Sequence, residues 1–137
     1  MSEPLNGKTI LNTSAARRVG KIFAVACARG GANVVIQYGH SDAESEEVRN
    51  QMIGFGRRAW IFRADLNDSS QAANLIPLVA PSTPIHGLVN RAAIFVSLLL
   101  QNTSMEDWQK HLAINVTAPF LTYWLHAKQR ISTIWIK

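Results

Sequence analysis

The sequence predicts an α/β domain, a doubly wound parallel sheet of about five strands with helices on both faces. Strand-like and helix-like patterns alternate along the whole chain. Runs such as Val34-Val35-Ile36 are continuously β-branched, as strands buried on both faces require. Glycines, prolines and capping residues punctuate the junctions. Right-handed crossovers then lay one helix on the sheet after each strand.

Residues 9–13 form the first expected strand. The helix after it carries Val19, Ile22, Phe23, Ala26 and Cys27 at helical spacing and stops at Gly30-Gly31. Residues 33–38 are the second strand. Ser41-Asp42-Ala43-Glu44 reads as a capping box opening a helix that ends near Gly54 or Gly56. Residues 59–63 are the third strand, and Asp68 caps a helix through Leu78 before Pro81 and Pro84 break the chain. Residues 86–90 are the fourth strand. Thr103-Ser104-Met105-Glu106 reads as a second capping box, opening a long helix from Thr103 to Gln129 that contains Pro119. Residues 131–136 alternate as a fifth strand, whose open edge invites pairing with another chain. Asn12 is anomalous: mid-strand, an unsatisfied amide costs roughly 1–3 kcal/mol.

At 137 residues, with 47% hydrophobic and 17% charged residues and no repeat or linker, the chain predicts one globular domain over residues 1–137. No apolar run approaches the roughly 20 residues of a membrane span, and the first eight residues are no signal peptide. One cysteine, Cys27, excludes an internal disulfide, fits a cytoplasmic location and reads as core packing. The formal charge of +5 is dispersed, with Arg17-Arg18 and Arg57-Arg58 as the pairs, so nucleic acid is not the expected partner. His86, His111 and His126 have no metal-ligand spacing.

The chemistry gathers at the end of the first strand. Lys8 to Gly20 runs as a strand, a tight turn and a helix start, the context in which backbone N–H groups and a helix N-terminus meet a pyrophosphate. The turn Thr13–Gly20 is similar to the Thr-Gly-x-x-x-Gly-x-Gly fingerprint of the short-chain dehydrogenase/reductase family. Gln37 to Ser41, Ala64-Asp65-Leu66, Val89 to Ala93 and Ile114 to Phe120 resemble further family segments. The resemblance implies a Rossmann-like fold and covers about the first half of a typical member, so the chain reads as truncated.

Within the fingerprint Thr13 and Gly20 match, while Ser14 and Arg18 stand where the family has glycine. Arg at the Arg18 position is common in pteridine-reductase-like members. If the turn needs positive φ at Ser14, serine costs on the order of 1 kcal/mol or more. The resemblance places Thr13, Ser14, Arg17, Arg18, Val19 and Gly20 at the cofactor. After the second strand no acid precedes Asp42, although a ribose 2′-OH calls for one there. His40 and Ser41 can donate to a 2′-phosphate, and Arg17 can approach it. The expected cofactor is therefore NADP, with NADPH preferred over NADH. Asp65 and Leu66 are implied at the adenine, and Asn90 and Ala92 near the cofactor in a turn where Arg91 and Ala93 depart from the family. A buried cation at Arg91 would need a partner. Asn115 maps onto the tetrad asparagine as a relict catalytic member; otherwise it reads as an asparagine bonded to neighbouring backbone.

The family's general acid is a tyrosine followed four residues later by lysine. Four residues after Tyr38 stands Asp42, and after Tyr123, Ala127. The expected function is thus an NADP(H)-binding domain, ancestrally an NADPH-dependent oxidoreductase acting on a carbonyl or pterin-like substrate, without turnover of its own. The alternatives are a functioning oxidoreductase completed by a partner chain, an interaction or dimerisation module, and a vestigial fragment that binds no cofactor. In the family, the helix from Thr103 to Gln129 forms much of a dimer interface, and Trp108, Leu112, Phe120, Leu121, Trp124 and Leu125 supply apolar surface for one.

Overall fold

The structure, a computed structural model, describes residues 3–135. Its elements are β1 (Thr9–Asn12), α1 (Arg18–Arg29), β2 (Asn33–Tyr38), α2 (Asp42–Gly54), β3 (Ala59–Arg63), α3 (Ser69–Val79) and β4 (Gly87–Val89). A 3-10 turn at Leu100–Asn102 precedes α4 (Met105–Leu112), a π-helical turn at Ala113–Thr117 and α5 (Ala118–Trp135). The four strands are parallel in the order β3-β2-β1-β4. The chain lays β2 and β3 on one side of β1 and then crosses to β4 on the other, which opens a crevice at the C-terminal ends of β1 and β4.

Successive strand residues point to opposite faces, and each face has its own core. Leu11 and Val35 face Ala72, Leu75, Ile76 and Val79 of α3 and Ala118 of α5. Val34 and Ile36 face Ala24 and Ala28 of α1 and Val48 and Met52 of α2. The sheet is thus doubly wound, as expected.

Four expectations need correction. First, α5 continues through Trp135, so residues 131–135 are helix where a fifth strand was expected; Ile136 lies outside the described residues. Ile131 and Ile134 are also spaced for a helix, and neither Gly nor Pro follows Gln129 to stop one. Second, the long helix from Thr103 is two helices joined by the π-helical turn.

Third, both capping boxes differ. Ser104, not Thr103, is the N-cap: its Oγ accepts from Asp107 N, while Asp107 Oδ2 accepts from Ser104 N. Ser41 makes no side-chain cap, and the Glu44 carboxylate turns instead to Arg17. Fourth, α1 packs through its small residues. Gly20, Ala24 and Ala28 are buried at i, i+4 spacing, whereas Val19, Ile22 and Phe23 are 41%, 67% and 44% exposed. A Cβ on Gly20 would stand 1.8 Å from the Ser14 carbonyl oxygen, so close approach of helix and turn selects glycine there.

Cys27 packs half-buried against the α1 side core, and burial raises its thiol pKa. At the end of α1, Gly31 takes a φ of +102°, the left-handed stop expected of the glycine pair. Asn12 is fully buried. Its Nδ2 donates to Ile10 O at 3.3 Å, and its Oδ1 has no hydrogen-bond partner.

Candidate functional site

A cleft of about 550 Å³ lies over the C-terminal ends of the strands. Every strand contributes to its wall. Ser14 and Arg17 come from the turn after β1, and Gln37, Gly39, His40 and Ser41 from the end of β2 and the loop beyond it. Ala64 to Asn67 follow β3, and Ala92 to Ile94 follow β4. Lys110 of α4 and Ile114 of the π-helical turn close the far side. Among its charged residues are Arg17, Lys110 and Asp65.

The turn after β1 is held by its neighbours. Ser14 and Arg18 take left-handed conformations, φ +52° and +51°, at the two positions where glycine was expected. Gln37, a buried side chain, fastens the turn. Its Oε1 accepts from Ser14 N at 2.8 Å and its Nε2 donates to Ala64 O at 2.8 Å, which ties the loops after β1 and β3 to strand β2. Thr13 fastens the other side: its Oγ1 accepts from Arg91 N at 2.8 Å and Ala92 N at 3.0 Å.

At the rim, Glu44 grips Arg17 along one edge of the guanidinium, with Nε to Oε2 at 2.8 Å and Nη2 to Oε1 at 2.7 Å. That bond raises the Arg17 pKa and lowers the Glu44 pKa. Asp65 Oδ1 accepts from Asn67 N at 2.9 Å in a turn that precedes the true cap of α3. Asp68 is that cap, accepting from Ser70 N and Gln71 N. Asn90 reaches α5, accepting from Thr122 Oγ1 at 2.9 Å and donating to Pro119 O at 3.4 Å. Asn115 pairs with the loop after β4: its Oδ1 accepts from Ile94 N at 2.8 Å and its Nδ2 donates to Ile94 O at 2.7 Å. Its partner is thus a distant backbone segment, not neighbouring helix. A π-helical turn at such a place often marks a functional site.

Of the expected cofactor residues, Ser14, Arg17, His40, Ser41, Asp65, Leu66 and Ala92 line the cleft. Thr13 and Asn90 brace its loops, while Arg18, Val19 and Gly20 open α1 outside the lining. Arg91 is exposed, so the expected burial problem does not arise. Gln37, Asn67, Lys110 and Ile114 line it without having been singled out. Gln37 carried the only available signal, a polar residue inside an apolar strand. No cluster of three or more His, Cys, Asp or Glu able to hold a metal occurs among the described residues.

The cleft fits a dinucleotide. No side chain caps α1 and no acid sits in its first turn, so its leading N–H groups remain for an anion. The Gly20 contact keeps that helix start tight against the turn.

Parallel strands, a crossover at β1/β4 and a cleft over the strand ends define a Rossmann-like nucleotide-binding domain. Residues 8–133 match the short chain dehydrogenase family model, and the chain belongs to that family. It is similar to a chloroplastic NADPH-dependent aldehyde reductase-like protein of Arabidopsis thaliana, 30% identical over 86% of this chain and 48% of that protein. Similarity to a 3-oxoacyl-[acyl-carrier-protein] reductase of Synechocystis is 32% identity over 85% of this chain and 48% of the relative. A short chain dehydrogenase from Burkholderia cenocepacia, solved in complex with NADP, superposes with a TM-score of 0.88 at 31% identity, over 91% of this chain and 51% of that one. The chain therefore spans about half the length of the relatives it matches.

Proposed function

We propose that this chain is the NADP(H)-binding domain of a reductase and prefers NADPH to NADH. The observation that carries the reading is the rim of the cleft. Arg17, His40 and Ser41 line it, and the loop after β2 offers no acid to a ribose 2′-OH before Asp42, which opens α2 and lies 3.8 Å from Arg63. A 2′-phosphate would meet the Arg17 guanidinium, a planar donor suited to it. The pyrophosphate would take the turn at Ser14 and the start of α1. Asp65 and Leu66 would flank the adenine, and Ala92 the nicotinamide ribose.

When bound, NADPH supplies a hydride, and a carbonyl or pterin-like imine is the proposed acceptor. Asn115 orients the loop after β4 through Ile94 and so positions the floor of the cleft. Neither tyrosine of the sequence is followed four residues later by lysine, so we assign these 137 residues cofactor binding and not proton transfer. A cytoplasmic location accords with the lone cysteine, and no helix among the described residues is long and apolar enough to cross a membrane.

A second reading has its own observation. Trp108, Phe120 and Trp124 are 57%, 58% and 48% exposed on α4 and α5, and the last two rings stack at 6.4 Å. Self-association through the segment from Thr103 to Gln129 would cover them. Fluorescence titration with NADPH and NADH, in the native chain and in Arg17→Ala, tests the first reading. Saturable NADPH binding that weakens selectively in the variant is expected. Folded protein that binds neither nucleotide would leave the self-association reading, which sedimentation then decides.

A further inference from the structure

We propose that Glu44 is a specificity-determining residue of the cleft, a built-in carboxylate that competes with a nucleotide 2′-phosphate for Arg17. The inference rests on the NADP(H) reading and adds to it the residue that sets the strength of the 2′-phosphate subsite.

The geometry is that of a phosphate contact already made by a side chain. Glu44 uses both carboxylate oxygens on the Nε and Nη2 edge of Arg17, the fork that a phosphate would take in the same bidentate manner. Arg17 itself lines the cleft beside His40 and Ser41. Glu44 sits in the first turn of α2 beside Asp42, and both of its carboxylate oxygens reach the Arg17 guanidinium.

The pair is also exchangeable. The Arg17 and Glu44 side chains are 64% and 41% exposed, and ion pairs that exposed are weak. A phosphate monoester carries more charge than one carboxylate and can displace it. Displacement leaves Glu44 beside an anion of like sign, which opposes binding. A nucleotide without a 2′-phosphate makes no claim on Arg17 and meets neither effect.

The test compares the native chain, Glu44→Gln and Arg17→Ala/Glu44→Gln by calorimetric titration with adenosine 2′,5′-bisphosphate and with adenosine 5′-monophosphate. Glutamine keeps the size of the side chain and removes its charge, and Asp42 still supplies an acid to the first turn of α2. Unfolding midpoints without ligand establish that all three proteins are folded. The expected result is bisphosphate binding about fivefold tighter in Glu44→Gln, the worth of one well-formed exposed ion pair. Monophosphate binding stays unchanged, and the gain vanishes in the double variant. Equal bisphosphate affinity in the native chain and Glu44→Gln, or a parallel shift for both nucleotides, overturns the proposal while the cofactor reading stands. If bisphosphate binds to neither the native chain nor Glu44→Gln, both fall together.

Discussion

Gln37 and Ser14 are joined across the cleft floor: the Gln37 Oε1 accepts the amide hydrogen of Ser14, a residue held at a φ of +52°. The other end of the same amide donates to the Ala64 carbonyl, so one buried side chain on β2 clamps the loops after β1 and β3. Replacing it by leucine strands the buried Ala64 C=O and leaves the Ser14 N–H without its partner. Gln37→Leu should lower stability by about 1–3 kcal/mol and weaken nucleotide binding more than that loss of folded protein explains. Urea unfolding and cofactor titration of the same preparation measure both. An unchanged affinity would sink the clamp.

Ser14 and Gly20 make opposite predictions within one turn. Ser14→Gly removes a Cβ from a left-handed residue and should stabilise the chain by on the order of 1 kcal/mol. Gly20→Ala puts a Cβ 1.8 Å from the Ser14 carbonyl oxygen, where only backbone movement relieves the clash. It should cost about 3 kcal/mol or more and open the turn. Thermal midpoints moving in opposite directions are the expected outcome.

Asn12 contributes a polar amide to the sheet interior with its Oδ1 unmatched. Asn12→Val exchanges that oxygen for β-branched packing and gives up one long bond to Ile10 O. Stability should rise by about 1 kcal/mol. A fall in the urea midpoint would show that the amide has a use in the folded chain.

Acid should erode the helix starts. Hydrogen bonds from the Ser70 side chain hold the Asp68 carboxyl below the ordinary carboxylate range, and the backbone N–H of Ser104 does the same for Asp107. A group whose folded pKa is depressed stabilises the fold fully above its unfolded pKa, and that contribution disappears as pH falls through the folded value. The urea midpoint should therefore hold from neutral pH to about pH 5 and decline below it, and the Asp68→Asn/Asp107→Asn variant should show a shallower decline. Parallel curves for the two proteins would refute the assignment.

The order of elements through β4, the parallel sheet and the strand-to-helix turn at Thr13 to Gly20 were legible along the chain because each rests on local signals. The β-branched run at Val34 to Ile36, the Gly30-Gly31 stop and the Asp68 cap each act within a few residues. Much of the site was legible for the same reason, since Ser14, Arg17, His40 and Asp65 follow directly on strand ends. What failed was any choice between neighbours in space. Val19, Ile22 and Phe23 have helical spacing, yet α1 turns them outward and buries Gly20, Ala24 and Ala28 instead. Glu44 has capping-box spacing, yet a cation 27 positions earlier in the chain claims its carboxylate. Gln37 stands 23 positions after Ser14 and Lys110 belongs to another helix, so neither could be assigned to the cleft before the loops were brought together. The sequence by itself determined the fold class and the position of the turn after β1, through periodicity and local hydrogen bonding. The tertiary structure alone decided which helix face is buried, where Arg17 finds its partner and what clamps the turn, because close packing and charge pairing depend on separation in space and not along the chain.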